Sequence, residues 1–167
     1  MTQVTIRSAT TADVPAIWAL REPLIAQRIL LGRELVAIYE SIQEMVVAVS
    51  PAGDILACGG LHVMWKDLAE VRSLVVAEGS RGQNLGRQIV EALLERAKTL
   101  GIKRVFCLTF ETDFFSKLGF KVIDDTPVDA ETYAELVRSS DEGIAEFLDL
   151  ARVKQNTLGN SRMLKLL

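Results

Sequence analysis

Residues 74–87 read Leu-Val-Val-Ala-Glu-Gly-Ser-Arg-Gly-Gln-Asn-Leu-Gly-Arg, an apolar strand-like run that passes through a tight polar turn straight into an amphipathic helix. Such a junction is an anion site, because the first turn of a helix leaves backbone N–H groups unpaired and carries roughly half a positive charge. Gly82 and Gly86 lack a Cβ and so let a bulky diphosphate come close to the backbone. Arg81 and Arg87 flank the turn and offer charge-assisted hydrogen bonds. In isolation an ordinary strand-to-helix connection with capping glycines reads the same way. A dinucleotide fold would want the glycines after the first strand of a βαβ unit with a third glycine in register. Here several strands come earlier, and Arg87 and Gln88 follow Gly86, so that context is wrong.

Just upstream, Glu70 and Arg72 stand two positions apart on one strand, hence on one face, where they can form a structural ion pair. Cys58 and Cys107 lie in apolar runs and have neither the spacing of metal ligands nor the number of a disulfide framework; they read as buried free thiols. The formal charge of −3 and pI near 5.3 give no general positive field, which argues against nucleic acid or anionic lipid as partners. The start of the chain has no basic, apolar leader pattern and no stretch has the length of a membrane span, so a cytoplasmic protein is expected. The 167 residues, 49% of them hydrophobic, suffice for one domain over residues 1–167 with a sizeable core.

These groups need elements to hold them. A strand is expected at residues 4–7, and then a helix that starts at the cap Thr10, runs to about Arg21 and is stopped by Pro23. Leu35, Ile38, Tyr39 and Ile42 space a second helix over 34–43. Strands follow at 45–49, 55–64 and 70–77, the first two joined by a turn at 50–54, so the sheet begins as an antiparallel meander. Leu85, Ile89, Val90, Leu93, Leu94 and Ala97 trace the buried face of a helix ending at Gly101. A strand at 104–109 then implies a parallel crossover. Thr112 is expected to cap a short helix over 113–118, ended by Gly119, before a strand at 120–123. Helical patterns at 130–138 and 143–151 and a last edge strand at 163–167 complete an α/β chain with a mixed sheet.

The 74–87 segment resembles the coenzyme A signature of the GNAT superfamily of N-acetyltransferases, whose pattern is Gln or Arg, two residues, Gly, one residue, then Gly or Ala. Arg81 and Gly86 match its ends; Asn84 replaces the middle glycine, and Asn tolerates positive φ better than most residues. The run Phe114-Phe115-Ser116-Lys117-Leu118-Gly119-Phe120 resembles the second motif of that family. The resemblance implies a GNAT-like, largely antiparallel sheet with a splayed parallel pair. It implies acetyl-coenzyme A as co-substrate, no metal, with the pantetheine arm along Leu74, Val75 and Val76 and the diphosphate on Arg81, Gly82, Gln83, Asn84, Leu85, Gly86 and Arg87. It makes Glu70 the general base, directly or through water. Phe115 stands where the family commonly carries a tyrosine acid, so both phenylalanines read as packing groups and the proton for the thiolate comes from water or a hydroxyl.

Most of the chain further resembles the acetyltransferase domain of bacterial N-acetylglutamate synthases. The pieces are residues 29–33, 58–62, 69–72, 105–109 and 160–164. This implies acetyl transfer to the α-amine of glutamate, or of glutamine, at the first step of arginine biosynthesis, with Arg33, His62, Arg72 and Ser161 as substrate-binding residues. His62 replaces a lysine or tyrosine of relatives, and Gly159 lies where longer forms have an arginine. Each of these residues has a plain alternative: histidine as a hydrogen-bonded strand residue, arginine as a solvated one, serine as a turn residue. A small-molecule partner is expected, and a homodimer is an open assembly state. Two rival readings stand beside it: an acetyltransferase for another amine, such as a polyamine, an antibiotic or a protein N-terminus, and a non-catalytic module that binds acyl-coenzyme A.

Overall fold

The structure is a computed structural model that describes residues 3–30, 32–148 and 160–167. The chain opens with β1 (Thr5–Ser8), a 3-10 turn at Thr11–Asp13 and α1 (Val14–Ala26). After α2 (Leu35–Glu40) and a 3-10 turn at Ile42–Glu44 come β2 (Met45–Val49), β3 (Ile55–Trp65) and β4 (Leu68–Val76). Then follow α3 (Leu85–Thr99), β5 (Arg104–Thr109), α4 (Thr112–Ser116), β6 (Lys121–Ile123), α5 (Ala130–Leu136), α6 (Glu142–Phe147) and β7 (Ser161–Leu166). The strands form one sheet in the order β1-β2-β3-β4-β5-β7-β6, parallel between β4 and β5 and antiparallel elsewhere. This is the mixed, mostly antiparallel α/β sheet expected from the sequence.

Strand periodicity sorts the core into two faces. Val46 and Ala48 of β2 pack under α3, against Leu85, Ile89, Val90, Leu93, Leu94 and Ala97, while Met45 and Val47 face Val14 and Ile17 of α1 and Ile38 of α2. Gly59 lets α3 lie close to β3: a Cβ there would sit 2.6 Å from Ile89 Cγ2. On the α1 side of the far half, Phe106 of β5 stacks obliquely on Phe147 of α6 with ring centroids 4.4 Å apart, which anchors α6 over the sheet.

Pro23 does not stop α1, which runs on to Ala26. The missing N–H of a proline costs a single rung, and the next residues still bond backward, as Gln27 N to Pro23 O at 3.2 Å does. The last strand is not an edge: β7 lies between β5 and β6, with Cys107 opposite Met163 and Val122 opposite Met163 on its other side. Its fully buried Met163 reflects that central place. Thr112 is inside α4 and Glu111 is the cap, Thr109 Oγ1 accepting the Glu111 N–H at 2.8 Å. The second helix is shorter than expected, its last residues forming the 3-10 turn instead. The end expected for α6 at Ala151 lies outside the described residues, as does Gly159. Among the described residues no helix is long and apolar enough to cross a membrane.

Candidate active site

The parallel pairing of β4 with β5 ends early. Leu68, Ala69 and Glu70 face Arg104, Val105 and Phe106, and beyond them the two strands separate. On its other side β4 stays paired with β3, through a bulge in which Ser73 and Leu74 oppose Gly59; Ser73 there takes φ +55, unusual for a residue with a Cβ. The stretch of β4 from Val71 to Val76 therefore offers an unpaired main-chain edge to a slot lined by Leu74, Cys107, Leu108, Thr109, Phe114 and Phe115. An extended ligand with amide groups can add to such an edge as a strand does. Leu74 and Val76 pack toward the α3 side, while Val75 is buried with the opposite cluster.

The slot leads to the N-terminus of α3. Asn84 is its cap in the left-handed region (φ +61, ψ +17), with no side-chain hydrogen bond closing the first turn. Gly82 has φ +83 and open space where a Cβ would stand, and Arg81, Gln83, Asn84 and Arg87 are exposed around it. Gly86 is buried at the start of α3, where a Cβ would come into ordinary contact with the Phe114 ring at 3.4 Å and with Val76 at 3.5 Å. Arg87 pairs with Glu91 along the helix at 2.7 Å. The helix end, with its uncapped donors and flanking exposed arginine, fits a diphosphate. Phe115 is buried in edge-to-face contact with Phe114 and Phe120. Among the described residues no tyrosine lines the slot.

At the head of the slot lies a charged pocket, walled by Arg21, Arg33, Glu70, Arg72, Ser73, Gly143, Glu146 and Asn160 among others. Glu70 is only 5% exposed. Its Oε2 accepts from Arg72 Nε at 2.9 Å and lies 2.7 Å from Arg72 Nη2. Burial, followed by the negative charge of Asp141, raises the proton affinity of Glu70 well above the ordinary carboxylate range; Arg33 acts the other way, and Glu146 and Glu44 add to the rise. The other edge of the Arg72 guanidinium donates to both oxygens of Asp141, at 2.9 and 3.0 Å. Asp141 Oδ2 also stands 3.6 Å from Arg33 Nη2 and 3.7 Å from His62 Nε2. His62 Nδ1 is 2.7 Å from Glu44 Oε1. Burial works against a charged His62, but the Glu44 hydrogen bond and the charges of Glu44 and Asp141 outweigh it and raise its pKa.

Arg33, His62, Arg72 and Glu70 are thus brought together from distant parts of the chain, and the Glu70–Arg72 pair on one strand face is present. Ser161 is set apart: it pairs with Thr109 at the start of β7, and the neighbouring Asn160 is the residue that lines the pocket. Sequence reasoning missed Arg21, Asp141, Glu146 and Asn160. Arg21 did carry a signal, since it continues the buried face of Val14 and Ile17 at helical spacing, where a cation is out of place. Asp141 carried a weaker one, as the cap three residues before Ile144 N, which its Oδ1 accepts at 3.0 Å. Nothing local announces that Arg21 reaches the pocket or that Asp141 reaches Arg72 beside it. Cys58 and Cys107 are buried, and burial pushes the Cys58 thiol up to about 12 and the Cys107 thiol higher, which leaves them inert as nucleophiles. Among the described residues no group of three or more His, Cys, Asp or Glu is placed to hold a metal ion.

Known proteins resemble this chain in sequence and in fold. The sequence model of the Acetyltransferase (GNAT) family matches residues 20–120. An amino-acid acetyltransferase of Mycobacterium tuberculosis is 50% identical over 164 residues, which cover 97% of this chain and 94% of that protein. The crystal structure of Rv2747 from Mycobacterium tuberculosis, in complex with CoA and NLQ, is similar with a TM-score of 0.93 at 50% identity, over 98% of this chain and 99% of that one. An N-acetylglutamate synthase from Neisseria gonorrhoeae, complexed with coenzyme A and N-acetyl-glutamate, has a TM-score of 0.78 at 22% identity, over 100% of this chain and 36% of that one; there the likeness is one of fold.

Proposed function

The chain belongs to the GNAT family of acetyltransferases, and on that premise we propose that it transfers acetyl from acetyl-coenzyme A to the α-amine of glutamate or glutamine, in the cytoplasm, at the entry to arginine synthesis. The observation that carries this reading is the position of a buried, proton-avid Glu70 where β4 and β5 part, between the free main-chain edge and a pocket with three arginines. The M. tuberculosis amino-acid acetyltransferase, half identical over nearly its whole length, supports an amino acid as acceptor, and the CoA in the Rv2747 complex supports the co-substrate.

Coenzyme A would lie along Leu74 and Val76 with its diphosphate at Arg81 to Arg87, and the acetyl thioester supplies the activated carbonyl. The work left to the chain is to hold the amine close to it and to take a proton away. Glu70 does the second: with its proton affinity raised by burial and by Asp141, it is a better acceptor for an amine proton than an exposed carboxylate. Arg33 does the first, because among the described residues its nearest acid partner is at 3.6 Å, beyond a hydrogen bond, and its guanidinium stands ready for an acceptor carboxylate. Arg72, held on both edges, keeps Glu70 in place. Glu146 keeps glutamine beside glutamate: on the pocket wall with Asn160, its carboxylate takes hydrogen bonds from a side-chain amide and repels a second carboxylate.

Thiol release from acetyl-coenzyme A, screened over the standard amino acids, should respond to glutamate or glutamine above all others. Glu70→Gln should lower kcat by roughly 10²- to 10⁴-fold with cofactor affinity nearly unchanged. A folded protein that binds the cofactor and acetylates no amino acid would sink the proposal and favour a binding module. Turnover restricted to polyamines would favour the other enzyme.

A further inference from the structure

Asp141 caps α6 from outside the sheet, yet among the described residues it is the one carboxylate near all of Arg33, His62 and Arg72. Its grip on Arg72 is bidentate, the geometry that fixes a guanidinium most firmly. The same guanidinium turns its other edge to Glu70 Oε2. The start of α6 closes over the pair: a Cβ on Gly143 would fall 2.8 Å from Glu70 Oε2 and 3.2 Å from Arg72 Nη2. Phe147 against Phe106 holds α6 there.

We propose that Asp141 is a positioning residue for proton removal: it fixes Arg72, and through Arg72 it fixes the Glu70 carboxylate at the pocket wall. The proposal rests on the reading of Glu70 as base. Asp141 also adds a fixed negative charge beside Glu70, which favours the protonated form and so makes Glu70 the stronger base. The other groups bearing on Glu70 are Arg72 on β4, His62 opposite it on β3, Cys107 on β5, Glu146 on α6, and Arg33 and Glu44 on either side of α2. Of these carboxylates, Asp141 has the largest influence on Glu70 after burial itself.

The test is the pH dependence of kcat/KM in four proteins: wild type, Glu70→Gln, Asp141→Asn and Asp129→Asn. Asn retains a capping oxygen, so α6 keeps its start while the charge goes. Asp129 caps α5 in the same manner, accepting Thr132 N at 2.8 Å, and controls for the loss of a capping charge as such. The acid limb of wild type reports Glu70. In Asp141→Asn that limb should move to lower pH by about one unit, because removal of a like charge lowers the pKa of Glu70, and the plateau should fall several-fold. Asp129→Asn should track wild type. An Asp141→Asn limb that coincides with wild type, in folded protein, overturns the proposal. If Glu70→Gln keeps the wild-type limb and rate, the reading of Glu70 as base falls instead. Should Asp141→Asn not fold, Asp141→Ser removes the charge, keeps a capping oxygen and is held to the same outcomes.

Discussion

The cofactor edge and the acceptor pocket meet at Glu70, yet they are built on opposite plans. The edge comes from one continuous stretch, from Val71 of β4 to Arg87 in α3, and its polar groups are main-chain amides set by a strand, a bulge and a left-handed turn. The pocket and the charged cluster beside it draw on α1, the segment before α2, β3, β4, α6 and the residue before β7, and their polar groups are mostly charged side chains, several of them buried. Main-chain donors come with any sequence that makes the turn. Buried charges persist only when each has a counter-charge, and the alternation Glu44, His62, Asp141, Arg72, Glu70 supplies it. A main-chain site therefore tolerates substitution of its side chains, and a side-chain network does not.

This contrast breaks if changes in one region are felt equally in the other. Arg33→Ala should raise the acceptor KM by roughly 10- to 100-fold, the worth of a charge-assisted hydrogen bond of about 1.5–3 kcal/mol, with cofactor affinity within about twofold by calorimetry. Equal losses in both constants would mean a single coupled site. On the other side, Asn84→Gly should leave coenzyme A affinity almost unchanged. Asn84→Val should weaken it about 5- to 30-fold, since a β-branched residue at φ +61 costs about 1–2 kcal/mol; the acceptor KM should hold in both variants. A large loss in Asn84→Gly would show that the Asn side chain, and not the turn it allows, binds the cofactor.

The same contrast explains what could be read in advance. Leu85, Ile89, Val90, Leu93, Leu94 and Ala97 announce α3 by spacing alone, and all six are buried; Asn84 adopts the positive φ that its replacement of a glycine called for. Both depend on neighbours in sequence. Asp141 meets Arg72 across 69 residues, and only the docking of α6 through Phe147 puts it there. The central place of β7 was hidden for a like reason, as a strand of six residues at the end of the chain looks the same whether one neighbour pairs with it or two. Pro23 misled because a rule about one missing donor was applied to a whole helix end.

The smallest effect belongs to a third place, the entry to α1, and it sharpens the comparison by testing whether the pocket depends on how that helix is held. Asp13 receives Arg7 Nη1 at 2.7 Å, Arg7 Nη2 at 2.9 Å and Thr10 N at 2.7 Å. The Arg7 hydrogen bonds, joined by those from Thr10 and opposed by burial, lower its pKa from 3.8 to about 2. A carboxylate with a depressed folded pKa stabilises the fold fully above its unfolded value near 3.8, and the contribution is lost as the pH falls through about 2. Asp13→Asn should therefore lower stability by about 1 kcal/mol at neutral pH, measured by denaturant unfolding, and the gap from wild type should close as the pH is taken from 4 toward 2. Cofactor affinity and acceptor KM should both stay as they were. Should the acceptor KM rise instead, the anchoring of the turn that leads into α1 would be setting the position of Arg21, and the pocket would extend, in mechanical terms, to the far end of that helix.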